Sequence, residues 1–115
     1  METSTVSDNS AALGGGLHLN DSSATLVDST VSDNSAEEGG GLHLYYYSDA
    51  TLNDATVSDN TAYDGGGLYL YSSSASVSAS DFLDNVDDDL YHSDTSTSYD
   101  FGVEASFECD DSGCE

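Results

Sequence analysis

Apolar and polar residues alternate over short segments of this chain, and the same segments return at a nearly constant interval. The motif Val-Ser-Asp-Asn at residues 6–9 returns at residues 31–34 and 57–60, at spacings of 25 and 26 residues. A second motif, Gly-Gly-Gly-Leu, begins at residues 14, 39 and 65. Alternation with a period of two is typical of β-strands, and no segment shows the 3.6-residue period of a helix. The pattern therefore predicts a stack of similar all-β units.

Each period contains three apolar segments separated by corners of Asn, Ser, Asp or Gly, which predicts a three-sided parallel β-helix. Equivalent residues of successive coils should then stack about 4.8 Å apart. The middle period is one residue longer, and its extra residue falls in a predicted turn at Tyr45–Asp49. The columns predicted to point inward are Val6, Val31, Val57 and Phe82; Leu17, Leu42 and Leu68; Leu19, Leu44 and Leu70; and Leu26, Leu52 and Val77. A corner column of amide side chains that bond the backbone and each other is predicted at Asn9, Asn34, Asn60 and Asn85.

The repeats divide the chain into a predicted solenoid and a predicted terminal segment. Coils are expected near residues 5–29, 30–55 and 56–81, with a partial fourth from residue 82, so that residues 1–86 form the β-helix. Residues 87–115 depart from the repeat and are predicted to form a C-terminal cap and tail. The predicted fold class is all-β, a solenoid of about three coils plus a cap.

The repeated motif carries a resemblance to a known group of proteins. Val-Ser-Asp-Asn-Ser/Thr-Ala, followed after two residues by Gly-Gly-Gly-Leu-His/Tyr-Leu, occurs three times over residues 5–70. It resembles the right-handed parallel β-helix repeats of secreted and surface proteins, including polymorphic outer-membrane-protein-like and adhesin-like repeats. The resemblance implies a right-handed solenoid and an extracellular or cell-surface location. It does not set the function, because such repeats occur in adhesins, passenger domains and polysaccharide-active enzymes.

The charge of the chain limits its partners. There are 23 Asp plus Glu residues and no Lys or Arg, for a net charge of −23. Nucleic acids and anionic membranes are excluded as partners, because their phosphates need basic side chains. Such charge suggests disorder, but the regular apolar residues and the repeat argue against it. Cations, neutral glycans and matrix surfaces remain as partners, and salt or bound cations are expected to stabilise the fold.

The two ends of the chain suggest a longer exported protein. The residues before the first repeat, at 1–4, form neither a basic nor an apolar leader. Near the other end, Cys109 and Cys114 are predicted to form a small disulfide loop, as in oxidising compartments. We therefore expect the C-terminal part of a longer exported chain, with an intact small monomer as the alternative.

One aspartate per repeat makes a candidate cation site. Asp8, Asp33 and Asp59 recur at one position, with Asp84 as a looser fourth member. Two charges 4.8 Å apart in water repel by about 0.9 kcal/mol, so a column of them favours a bound cation. Ca²⁺ is the candidate because it accepts carboxylate oxygens in flexible geometry. The alternative is a solvated acidic face, and no cofactor is required for folding.

Outward-facing rings make a candidate contact surface. His18 and His43 are predicted to stack with Tyr69 in a solvent-exposed column. They supply two nitrogen ligands, whereas a closed zinc site takes four. Tyrosine rings beside polar groups suit contact with a glycan or a surface. The residues predicted to make this contact are His18, His43, Tyr45, Tyr46, Tyr47, Tyr69 and Tyr71.

Catalysis is not predicted. The chain lacks the Lys or Arg used by β-helix polysaccharide lyases, lacks a Gly-x-Ser-x-Gly motif, and has no His beside Cys109 or Cys114. The sequence predicts a non-catalytic structural or interaction segment of a surface β-helix protein. The alternatives are a Ca²⁺-dependent carbohydrate-binding or polysaccharide-processing module and an ice- or surface-binding solenoid.

Overall fold

A computed structural model describes residues 1–87, 89–92 and 98–101 of the chain. These residues form twelve short strands and no helix, with three strands to a coil. Coil 1 contains β1 (Thr5–Ser7), β2 (Leu17–Asn20) and β3 (Ser23–Val27). Coil 2 contains β4 (Thr30–Ser32), β5 (Leu42–Tyr45) and β6 (Asp49–Asn53). Coil 3 contains β7 (Thr56–Ser58), β8 (Leu68–Tyr71) and β9 (Ser74–Ser78), and coil 4 contains β10 (Asp81–Leu83), β11 (Leu90–His92) and β12 (Ser98–Phe101).

The strands form three parallel four-stranded sheets, one for each side of the solenoid. Their orders are β1-β4-β7-β10, β2-β5-β8-β11 and β3-β6-β9-β12, so each strand pairs with its equivalent in the next coil. The register places like residues opposite each other, as with Leu42 between Leu17 and Leu68. The predicted fold class, a parallel β-helix of stacked coils, is confirmed.

The core is made of the columns that alternation predicted to point inward. In coils 2 to 4 these side chains are fully buried, and Phe82 continues the column of Val31 and Val57. In coil 1, Val6 and Leu17 are only half-buried, because they are packed from one side. Burying one such side chain contributes about 1.5–3 kcal/mol, so the columns are the main source of stability.

The longer middle repeat is accommodated in a turn, as predicted. Tyr46 and Tyr47 both take positive φ angles, of 42° and 52°, between β5 and β6. On either side of them the register is unbroken, with Leu44 opposite Leu19 and Ala50 opposite Ala24. The insertion therefore bulges outward and leaves the core columns intact.

The fourth coil extends into the segment that the sequence assigned to a cap. Val86 bridges to Thr61, and β11 and β12 pair in parallel with β8 and β9. Leu90 lies opposite Leu68 and is buried, so it lengthens an apolar column. A boundary at residue 87 stays a prediction, but residues 89–92 and 98–101 follow the path of a coil.

Asparagine side chains form a continuous ladder at the first corner, as predicted. The Oδ1 atom of Asn60 accepts hydrogen bonds from the backbone N–H and the Nδ2 of Asn34, each at 3.0 Å. Its Nδ2 donates to the carbonyl oxygen of Val31 at 2.9 Å and to Oδ1 of Asn85 at 3.0 Å. Asn60 is 0% exposed, and both polar atoms of its side chain are hydrogen-bonded inside the core. Because these hydrogen bonds are made, burial of the amide carries little penalty.

At the other two corners, serine hydroxyls accept hydrogen bonds from the backbone N–H groups of the neighbouring coil. The backbone N–H of Ser22 donates to Oγ of Ser48 at 3.2 Å, and that of Ala55 donates to Oγ of Ser80 at 3.0 Å. Each such hydroxyl also donates to a carbonyl of its own coil, as Ser80 does to Ser78. Ala55 interrupts this pattern, because it offers no oxygen to the buried Ser29 one coil earlier.

Replacement of Asn60 by Ala is expected to lower the free energy of unfolding by about 3 kcal/mol, because the change orphans several buried partners at once. The measurement is urea unfolding followed by circular dichroism. Asn9→Ala is the matched control, since Asn9 is exposed at the end of the ladder, and it should cost less than about 1 kcal/mol. Equal losses for the two variants would contradict a buried ladder.

Replacement of Ala55 by Ser is expected to raise the free energy of unfolding by about 1 kcal/mol, since it completes a corner column with a hydroxyl that can accept from the amide of Ser29. Thermal and urea midpoints give the measurement. Ala50→Ser is the control, because Ala50 is buried on a strand without a corner amide to satisfy, and it should destabilise.

Candidate functional site

The predicted calcium ligands lie at the corner that follows β1, β4, β7 and β10. Asp8, Asp33, Asp59 and Asp84 are exposed, and their φ angles are 61°, 55°, 55° and 54°. Residues with a side chain rarely take positive φ, and Asp and Asn do so most readily. The column therefore has a conformational cause that is independent of any cation.

The same preference explains aspartates at the other corners. Asp21, Asp28 and Asp54 also have positive φ, and of the thirteen non-glycine residues with positive φ in the described chain, eight are aspartate. Within residues 1–87, 89–92 and 98–101, no three His, Cys, Asp or Glu side chains converge as a metal site would require. Calcium binding by the Asp8 column stays a prediction, and the recurrence of aspartate does not need it.

The predicted ring column exists and is longer than the sequence suggested. The rings of His18, His43, Tyr69 and Tyr91 stack in order, with centroid separations of 4.9, 4.8 and 4.8 Å. Each ring sits on the outer face of its strand, directly above its equivalent in the next coil. Stacking at this spacing follows from the distance between strands.

The prediction that this column is exposed to solvent is wrong for its two middle members. His43 is 1% exposed and Tyr69 is 8% exposed, although both face outward. Neighbouring rings stack on both faces of the His43 ring and of the Tyr69 ring. The backbone at Gly39 also packs close to His43. A Cβ atom on Gly39, where φ is 64°, would lie 2.8 Å from the Cβ of His43. His43 and Tyr69 are therefore not available to a glycan, whereas contact by His18 stays a prediction.

A chain of polar contacts runs through the buried histidine. Nε2 of His43 lies 3.3 Å from Oε2 of Glu38, and its Nδ1 lies 3.0 Å from Nδ1 of His18. Burial lowers the pKa of His43, and the hydrogen bond that its ring donates to Glu38 opposes this shift only in part. Burial, aided by the negative charge of Glu38, raises the pKa of Tyr69 to about 12. Both rings are therefore held neutral near pH 7.

The remaining predicted tyrosines gather at the turn after β5 and β8. Tyr45 and Tyr71 are half-buried with ring centroids 5.0 Å apart, and Tyr46 packs edge-on to Tyr45 at 4.2 Å. A hydrogen bond with Tyr46 raises the pKa of Tyr45. Tyr47 extends outward from this cluster and is 80% exposed.

Tyr47 forms one wall of a small cleft. The cleft has a volume of about 180 Å³, and its other walls are Ser48, Asp49, Ser72, Ser73 and Ser74. The hydroxyl of Ser74 donates to the carboxylate of Asp49, which fixes that carboxylate at the edge of the cleft. An exposed ring and a carboxylate thus lie together with serine residues at one point of the surface.

Sequence reasoning missed a second exposed aromatic residue. Tyr63 is 79% exposed and borders an open groove of about 380 Å³ together with Glu37, Ser35 and Thr61. The backbone N–H of Tyr63 donates to the carbonyl of Glu37, so the two share one column. The signal was in the repeat, since an aromatic residue stands where the preceding coil has Glu37.

The predicted disulfide of Cys109 and Cys114 lies outside the described residues.

These features define a parallel β-solenoid whose outer surface carries corner aspartates and clustered tyrosines. The sequence model of the right-handed β-helix region matches residues 1–104. The chain therefore belongs to the right-handed β-helix family, as its repeats predicted. This family includes enzymes and non-enzymes. No curated protein and no solved structure matches the chain. In the part of the chain that the structure describes, no helix is long and apolar enough to cross a membrane.

Replacement of Asp59 by Asn is expected to raise the free energy of unfolding by about 1 kcal/mol at low ionic strength. Asn retains the preference for positive φ, while the column loses its central charge. The gain should shrink as salt is added, because exposed charges are screened. Urea unfolding across a salt series measures it.

Asp59→Val is the matched control, since it removes the charge and also the conformational preference, and it should destabilise at every salt concentration. A Ca²⁺ titration at fixed ionic strength completes the test. Stabilisation of the native chain by Ca²⁺ that Asp59→Asn abolishes would show that the column holds the ion, and destabilisation by Asp59→Asn without Ca²⁺ would contradict a repulsive column.

Proposed function

We propose that this chain is a non-catalytic interaction segment of an exported or cell-surface β-helix protein, and that it binds a neutral glycan. The observation that carries the proposal is the cleft at Tyr47, where an exposed ring lies beside the Asp49 carboxylate and the Ser74 hydroxyl bonded to it.

The chemistry of the cleft suits a sugar. The apolar face of a tyrosine ring can pack on the C–H groups of a pyranose, while carboxylate and hydroxyl oxygens accept hydrogen bonds from its hydroxyls. Tyr46 and Tyr45 pack behind Tyr47 in the same turn, and ring centroids of Tyr46 and Tyr47 are 6.5 Å apart. A site whose side chains are ordered before binding loses less entropy when the ligand arrives.

The charge of the chain selects among glycans. With a net charge of −23 and no basic residue, the surface repels sulfated and uronic-acid polymers. Neutral glycans carry no such penalty. We therefore propose a neutral polysaccharide, either of a cell surface or of an extracellular matrix, as the partner.

The cleft is better suited to binding than to hydrolysis. One carboxylate, that of Asp49, borders it, whereas glycoside hydrolysis generally uses two carboxyl groups on opposite sides of the scissile bond. The cleft is also small, at about 180 Å³, and so fits a single sugar ring better than a chain held for cleavage.

Replacement of Tyr47 by Ala is expected to weaken binding about tenfold or more, because the ring supplies the largest apolar contact of the cleft. A glycan array identifies the best-bound neutral oligosaccharide, and calorimetry with that oligosaccharide measures the affinity of each variant. Tyr63→Ala is the matched control, since Tyr63 is equally exposed but lies in another groove.

Two outcomes would contradict the proposal. One is an array on which no neutral glycan binds the native chain. The other is a loss of affinity in Tyr63→Ala that equals the loss in Tyr47→Ala, since the binding site would then lie elsewhere.

A further inference from the structure

The contacts of His43 allow only one arrangement of protons at neutral pH. The Glu38 carboxylate can only accept, so the Nε2 atom of His43 must carry the hydrogen of the 3.3 Å contact. Nδ1 of His43 is then an acceptor, and the hydrogen in the 3.0 Å contact belongs to Nδ1 of His18. Nε2 of the exposed His18 ring remains free of hydrogen. His18 therefore donates to His43, and His43 donates to Glu38, so the hydrogen bonds run in one direction from coil 1 to coil 2.

Protonation of His43 disrupts this series of hydrogen bonds. The proton must go to Nδ1 of His43, which is the acceptor for His18. Two N–H groups would then face each other at 3.0 Å, and a charge would sit on a ring that is 1% exposed.

We propose that Glu38, His43 and His18 form a proton-gated clasp that holds coil 1 against coil 2 at neutral pH and releases it in acid. The clasp joins two coils because His18 lies on β2 and His43 lies on β5, directly opposite in the register.

The other groups around His43 do not supply a competing titration. Tyr45 on β5 and Tyr69 on β8 face its ring, and the pKa of each is raised, to about 12 for Tyr69. Both therefore stay neutral throughout the acid range. Asp64 is the equivalent of Glu38 one coil later and acts on Tyr69, so Glu38 and His18 are the partners that decide the charge of His43.

The direction of the pH effect follows from the lowered pKa of His43. The unfolded chain takes up this proton below its ordinary pKa of about 6.5, whereas the folded chain resists it to lower pH. The contribution of the clasp is therefore complete above about pH 6.5 and is lost progressively as the pH falls below it. For one proton, the equilibrium constant for opening rises by up to about tenfold per pH unit.

The test compares the native chain with His43→Tyr, a change that the chain itself models, because Tyr69 occupies the equivalent position one coil later. The variant keeps the ring column and removes the proton-dependent contact. Hydrogen exchange of the β2 amides and urea unfolding are followed between pH 7.5 and pH 5. His18, His92 and every carboxylate are common to both chains, so the difference between the two pH profiles reports on His43 and its contacts.

The expected result is that the protection factors of the β2 amides, which are corrected for the intrinsic pH dependence of amide exchange, decrease in the native chain as the pH falls, by up to about tenfold per unit, while His43→Tyr shows a flatter profile. Parallel pH profiles would overturn the proposal. Should the variant fail to fold, ring ¹⁵N NMR of the native chain decides instead. A neutral His43 that carries hydrogen on Nε2 and a neutral His18 that carries it on Nδ1 support the clasp, and the opposite tautomers rule it out.

Discussion

Hydrogen bonding from each coil to the next, in unbroken register, is the constraint on which the rest of this structure depends. Parallel pairing places every residue of a repeat directly above its equivalent, as with the three-membered column centred on Leu42. A property of one residue therefore becomes the property of a column about 4.8 Å in pitch. Apolar residues become a continuous core, amides become a ladder, rings become a stack and carboxylates become a line of like charges.

The corners show how this constraint is met where strands end. A corner turns through a residue with positive φ, and the following residue is in most coils an inward-pointing Asn or Ser that accepts from the amide of the neighbouring coil, with Ala55 as the exception. Aspartate suits the first position and is exposed there, so acidic residues accumulate on the outside without entering the core. The charge of −23 is thus compatible with folding because corner geometry keeps many of the carboxylates in water.

Much of the fold was predictable because the repeat displays its own register. The period-two alternation identified the inward columns, and the position of the extra residue identified the turn at Tyr46 and Tyr47. The candidate site was less predictable, because burial of His43 depends on the path of the chain at Gly39 and on a contact with Glu38 five residues earlier. Parity along a strand tells which face a side chain points to, but it does not tell what lies over that face.

The chemistry of the surface is concentrated where the repeats differ from each other. An exact repeat would place the same side chain at every level and would offer a ligand no distinct point. Here the second coil departs from its neighbours by the tyrosine turn, which creates the Tyr47 cleft, and by Glu38, which reaches back to His43. The third coil replaces that histidine with Tyr69, so a hydrogen-bonded histidine pair exists only between the first two coils of the described column. Because the repeats share most of their residues, a specific site arises where one repeat differs from the others, and the second coil supplies both the Tyr47 cleft and the Glu38 contact.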